Sequence, residues 1–122
     1  MADPKGLPIN PIAAEWYVAD KSAAATAKTI TKAAAAGQRH YVTYISATVL
    51  TADVTGDPSI ELQDGSTVKF ETNFGDSDVR GATRTVHFTR PIRLSVNTAA
   101  NLVSESGGTG AVIALNMGGF TR

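Results

Sequence analysis

The chain has 122 residues, 11 basic groups balanced by 11 acidic ones, and no cysteine. This length sets a single domain that can bury a core of its own, and the missing cysteines remove disulfides, thiolate nucleophiles and zinc–sulfur sites. The charges also balance by half, five basic to six acidic over residues 1–61 and six to five over 62–122, so no basic face points to nucleic acid and no polybasic stretch to a membrane.

Fifteen Thr and 11 Gly beside few aromatics tilt the composition toward strands and turns. Residues 1–15 carry Pro4, Pro8 and Pro11, which remove amide donors and restrain their neighbours. The stretch reads as an extended arm. Its aliphatic hooks Leu7, Ile9 and Ile12, followed by Trp16, are expected to dock on a neighbouring subunit. The opening residues lack the apolar core of a signal peptide, and no apolar run approaches the ~20 residues that span a bilayer. The expectation is a soluble protein made in the cytosol. A first short strand reads at Trp16-Tyr17-Val18-Ala19, with Trp16 as a core or seam residue rather than a ligand platform. The Ala-rich stretch 21–37 has helix propensity but no large apolar residues at helical spacing. Thr26, Lys28, Ile30 and Lys32 fit a strand at 26–32, ending in a turn at Gly37.

Residues 38–52 form the strongest strand pattern. Tyr41, Thr43, Ile45, Ala47 and Val49 alternate with Val42, Tyr44, Ser46, Thr48 and Leu50, so apolar groups lie on both faces of a central strand. That alternation places Tyr41 and Tyr44 on opposite faces, which argues against a tyrosine cluster for sugar. A turn cluster at 53–58 follows. Asp64-Gly65 between two alternating runs is a hairpin signal. Its expected inner face is Ile60, Leu62, Val68 and Phe70, with Glu61, Gln63, Lys69 and Glu71 facing water. After a loop at 73–82, a strand runs over 83–89, is broken by Arg90-Pro91, and continues through Ile92, Leu94 and Val96. Strands at 101–106 and 111–117 complete the pattern, and Gly118 to Arg122 closes the chain. Seven to nine strands at about ten-residue spacing give an all-β fold, a single antiparallel β-sandwich.

The chemistry-bearing residues form no recognised constellation. Asn73, Asp76 and Asp78 lack the spacing of a calcium loop, and Asp53 and Asp57 suit a turn. His40 and His87 stand apart from any Cys or carboxylate in sequence. No Gly-x-Ser-x-Gly elbow is present, and Gly107-Gly108-Thr109-Gly110 lacks the Lys and helix of a phosphate loop. No catalytic residue, cofactor or metal is expected, and the chain reads as a binding protein rather than an enzyme. Arg80, Arg84, Arg90 and Arg93 cluster in sequence and are candidate subunit contacts through Arg–carboxylate pairs.

Ala35-Ala36-Gly37-Gln38-Arg39-His40-Tyr41-Val42-Thr43 with Ile45-Ser46-Ala47 resembles a group of small bacteriophage and prophage structural proteins. So do Leu62-Gln63-Asp64-Gly65-Ser66, Pro91-Ile92-Arg93 with Ser95-Val96-Asn97-Thr98-Ala99, and the ending Gly119-Phe120-Thr121-Arg122. These short motifs keep their order and spacing over residues 16–122. The resemblance implies a jelly-roll β-sandwich within a virion, of the capsid decoration (cement) type. It implies binding to the major capsid protein on the outer capsid surface, as a homotrimer that stabilises subunit junctions. The group has no catalytic residues to carry over. The arm lies outside the match. A tail or fibre accessory module that binds a receptor is the alternative.

Overall fold

A computed structural model describes residues 14–122. Eight strands follow in chain order: β1 (Ala14–Lys21), β2 (Lys28–Lys32), β3 (His40–Leu50), β4 (Ser59–Asp64), β5 (Thr67–Asn73), β6 (Thr83–Arg93), β7 (Ala100–Ser104) and β8 (Val112–Thr121). Two four-stranded sheets, ordered β1-β8-β3-β6 and β2-β7-β4-β5, pair antiparallel throughout. Each sheet interleaves strands distant in sequence, the jelly-roll arrangement of a double-sheet sandwich. The all-β reading holds, and the Ala-rich stretch contributes β2 rather than a helix.

Alternation builds the core. Ile30, Ile60, Leu62 and Leu102 of one sheet face Val42, Ile45, Val49, Ile113, Leu115 and Met117 of the other, all buried. Full burial of such side chains stabilises by roughly 1.5–3 kcal/mol each. Phe74 and Leu94 close the sandwich from the loops after β5 and β6. Phe70 meets Phe88 edge-on at 5.2 Å, joining the edge strands β5 and β6.

The hairpin between β4 and β5 departs from simple alternation. Positive φ occurs at Gly65 and not at Ser66, the pattern of a type II′ turn centred on Gly65-Ser66. Asp64 is buried and accepts hydrogen bonds from the Ser95 backbone N–H and from Ser95 Oγ, the latter at 2.8 Å. It ties the hairpin to the β6–β7 loop. The register runs from Leu62–Phe70 to Gln63–Val68 and skips Lys69. This bulge turns Val68, expected on the inner face, out to solvent at 46 % exposure.

β8 runs four residues past Met117, through the glycines read as a chain end. Gly119 lies between Trp16 and Val42. A Cβ there would fall against the Tyr41 carbonyl oxygen and touch Trp16. Gly119→Ala should therefore destabilise by about 2–3 kcal/mol, lowering the melting temperature by roughly 5–15 °C. Gly75→Ala, whose Cβ makes only an ordinary contact with Asp78, should stay within about 0.5 kcal/mol of wild type. Thermal melts followed by circular dichroism compare the two, and equal melting temperatures would contradict the close approach at Gly119.

Candidate binding face

The outer face of the β1-β8-β3-β6 sheet collects most of the exposed aromatic and arginine side chains. Both partners of β3 skip a residue between Val42 and Tyr44, so Thr43 is a bulge, with Thr43 Oγ1 donating to the Gly118 carbonyl at 3.1 Å. The extra residue shifts the alternation. Val42, Ile45, Ala47 and Val49 are buried, whereas Tyr41 and Tyr44 both lie on the outer face. The expected placement of the two tyrosines on opposite faces is thus corrected, because a bulge changes the period that strict alternation assumes.

The register then defines two rows. Tyr17, Gly118, Tyr44 and His87 lie side by side across β1, β8, β3 and β6, and Glu15, Phe120, Tyr41 and Arg93 form the next row. The Tyr44 ring covers Gly118, where a Cβ would collide with it, and sits 5.7 Å from the His87 ring. Burial raises the Tyr44 phenol above its ordinary pKa, and the nearby Tyr17 adds to the shift. Further along the face, Ser46 meets Thr85 at 2.9 Å and Thr48 meets Thr83 at 3.1 Å, hydroxyl to hydroxyl.

In the second row, Tyr41 and Phe120 stack with centroids 4.9 Å apart and planes 8° from parallel. The Arg122 guanidinium carbon lies 5.4 Å and 5.7 Å from the two centroids, a distance at which a cation is attracted to the ring faces. With Arg90, Pro91 and Arg93 these residues line a groove of about 580 Å³. The β3–β6 register passes from Tyr44–His87 to Val42–Ile92. Phe88, Thr89, Arg90 and Pro91 lie in between, and this distortion carries Arg90 and Pro91 into the groove. Pro91 sits on an edge strand, where its missing N–H breaks no ladder.

The four candidate arginines separate. Arg90 and Arg93 share the groove. Arg84 lies at the other end of β6, where it covers the Phe74 ring at 5.1 Å and binds Asp78 at 2.6 Å. Arg80 lies in the β5–β6 loop, its backbone N–H donating to Asp53. Of the arm residues, Leu7, Ile9 and Ile12 lie outside the described residues. Ala14 and Glu15, the last two positions of the 1–15 arm, pair with Thr121 and Phe120. Trp16 packs against the core and meets the His40 ring edge-on at 5.6 Å. His40 is buried between Thr121 Oγ1 and the Ala33 carbonyl, each at 2.7 Å. A carbonyl only accepts, so Nε2 carries the proton, and in the neutral ring Thr121 donates to Nδ1.

The loop carboxylates are engaged locally. Asp76 accepts from the Gly56 N–H, Asp57 from the Asp76 N–H, and Asp78 from the Gly75 N–H, each at 2.8 Å. Among the described residues no three His, Asp or Glu side chains converge on a metal position.

Phe120 near the end of β8 and Arg122 just beyond it are two apart, so alternation carried one residue past Thr121 sets both toward one face, and both were open to detection from sequence. Tyr41 was not, since its face depends on the Thr43 bulge.

No family model matches the chain, and no curated protein matches it. Among solved structures it is similar to dimeric latent PorU from Porphyromonas gingivalis, at 12% identity and a TM-score of 0.54, over 88% of this chain and 13% of that one. It also overlaps the Tobacco streak virus coat protein, at 10% identity and a TM-score of 0.36, over 88% of this chain and 86% of that one. The first likeness is one of fold alone, and the chain spans about 13% of that protein's length. The second overlap is too loose to inform on function.

The groove's aromatic pair should act as a unit. A double-mutant cycle of Tyr41→Ala and Phe120→Ala, read by denaturant unfolding, should give a coupling of about 0.5–1.5 kcal/mol. Additive effects would mean that the rings do not stack in solution.

Proposed function

We propose that this chain is a bacteriophage virion protein of the decoration type, which attaches to the outside of the capsid and bridges copies of the major capsid protein. It would be made in the host cytoplasm and act by binding, without catalysis. The observation that carries this reading is the location of the chemistry. The interior is filled by Phe74, Ile45, Leu62, Leu102 and Met117, while Tyr17, Tyr41, Tyr44, Phe120 and Arg93 stand together on one outer sheet face. The ordered motif resemblance over residues 16–122 supplies the class of partner. A fold by itself does not, although jelly rolls recur in viral capsid domains.

Mechanistically, attachment buries a face against several capsid subunits at once. An interface near 1,600 Å² in total suffices for stable binding, and a homotrimer engaging three subunits gains avidity from linkage alone. A receptor-binding tail or fibre module is the second reading. It is favoured by one observation, that Tyr17, Tyr41 and Tyr44 share a face with Phe120 and His87, as an aromatic ligand platform would.

Purified protein should bind saturably to capsids of the encoding phage that lack it, and should raise the temperature at which those capsids disrupt. Absence of binding to capsids, together with binding to host cells that Tyr17→Ala/Tyr44→Ala abolishes, would replace the decoration reading with the receptor-binding one.

A further inference from the structure

The groove and the opposite sheet carry complementary surplus charge. Arg90, Arg93 and Arg122 line the groove. Among the described residues the ion pairs within 4 Å are Lys28–Asp20 and Arg84–Asp78, so none of these three arginines has a carboxylate partner there. Glu15 stands beside Phe120 in the same row, outside that distance. The groove floor is apolar, from Tyr41, Phe120 and Pro91.

On the outer face of the β2-β7-β4-β5 sheet, Glu61 and Glu71 lie directly opposite each other on β4 and β5. Like charges directly opposite on neighbouring strands destabilise a sheet. Gln63 Nε2 donates to Glu61 Oε1 at 2.9 Å, which eases Glu61 alone. In the next row the Lys69 bulge exposes Val68. Lys69 itself is exposed and has no ion-pair partner among the described residues. This face therefore offers an apolar knob beside two carboxylates. Among the described residues most other acids are engaged: Asp53, Asp57, Asp76 and Asp78 hold loop N–H groups, Asp64 holds Ser95, Glu105 accepts from the Ser59 N–H, and Asp20 pairs with Lys28, while Glu15 belongs to the groove's own row.

We propose that copies of this chain associate head to tail, the arginine groove of one copy receiving the Val68–Glu61–Glu71 face of the next. Val68 meets the apolar floor, and the guanidinium forks meet the carboxylates, a geometry in which arginine binds two oxygens at once. The chain's net charge of zero puts no long-range repulsion between copies. An acidic glycan suits the groove less well, because Tyr41 and Phe120 turn faces to each other rather than presenting them to a sugar ring. The contact joins two different surfaces, so it closes a ring where the rotation permits and extends a chain where it does not. It does not rest on the capsid reading, since it concerns the purified protein alone.

The test is light scattering at low ionic strength and again at about 0.5 M salt, where the screening length falls to roughly 4 Å. Wild type should show a multiple of the 12.7 kDa chain mass at low salt and at least a twofold fall at high salt. Arg93→Glu/Arg122→Glu and Glu61→Arg/Glu71→Arg should each be folded monomers by circular dichroism. An equimolar mixture of the two variants should associate again, to a mass above that of either variant alone, because each reversed surface then finds an opposite one. Wild type that is monomeric in both buffers overturns the proposal. So does association that neither variant changes, or a mixture that stays monomeric. Hexaglutamate or polysialic acid binding to a monomeric wild type would reassign the groove to another protein's acidic segment or to an acidic glycan.

Discussion

The outer face depends on how closely β3 and β8 approach at Gly118-Gly119. These strands are neighbours at the centre of their sheet, and any side chain on either glycine would strike β3: the Tyr44 ring at Gly118, the Tyr41 carbonyl at Gly119. With the glycines in place, β3 accommodates the Thr43 bulge, and Thr43 Oγ1 bonds the Gly118 carbonyl. The bulge lets the core keep Val42 and Ile45 while Tyr41 and Tyr44 both turn outward. Without it, one register would cost the core a large apolar residue or would bury a tyrosine hydroxyl.

The groove sits at the end of the sandwich that also holds the buried polar side chains His40, Asp64 and Thr121. His40 bridges Thr121 and Ala33, Asp64 clamps Ser95, and Arg39 and Arg122 exchange backbone hydrogen bonds at 2.9 and 3.0 Å. Each fixes a strand end or loop that carries a groove residue: β8 with Phe120 and Arg122, β3 with Tyr41, and the turn after Arg93. Binding groups held by such a supporting layer keep their geometry better than groups on loops. Trp16 belongs to the same layer. Its indole N–H is buried without an acceptor among the described residues, a cost of about 1–3 kcal/mol that the ring's packing against His40 and Gly119 must outweigh.

Local rules read most of the strands. The period-two pattern located β3 and β6 to within a few residues, Asp64-Gly65 located a hairpin, and the want of large apolar residues at helical spacing turned the Ala-rich stretch into β2. Both failures concern faces. Val68 and Tyr41 lie on the wrong side of a strict alternation because single-residue bulges at Lys69 and Thr43 reset the period. Bulges carry little compositional mark, since Lys and Thr are ordinary strand residues. The arginines between residues 80 and 93 also lie apart, for another reason. Neighbours in sequence along β6 are separated by the length of an extended strand, so Arg84 and Arg93 reach opposite ends, and Arg122 joins the groove only through β8.

The edges of the sandwich decide what kind of association remains open. A flat, unpaired edge invites strand addition. At β6 the edge is interrupted by Phe88 to Pro91, where Pro91 has no N–H to donate, and at β5 it is interrupted by the Lys69 bulge. Edge-to-edge pairing on that side of the molecule is thereby discouraged. The same two irregularities point Arg90, Pro91 and Val68 away from the strand ladders and onto the sheet faces. What blunts the edges therefore also equips the faces, so contact through this side proceeds by side chains meeting side chains rather than by extension of a sheet.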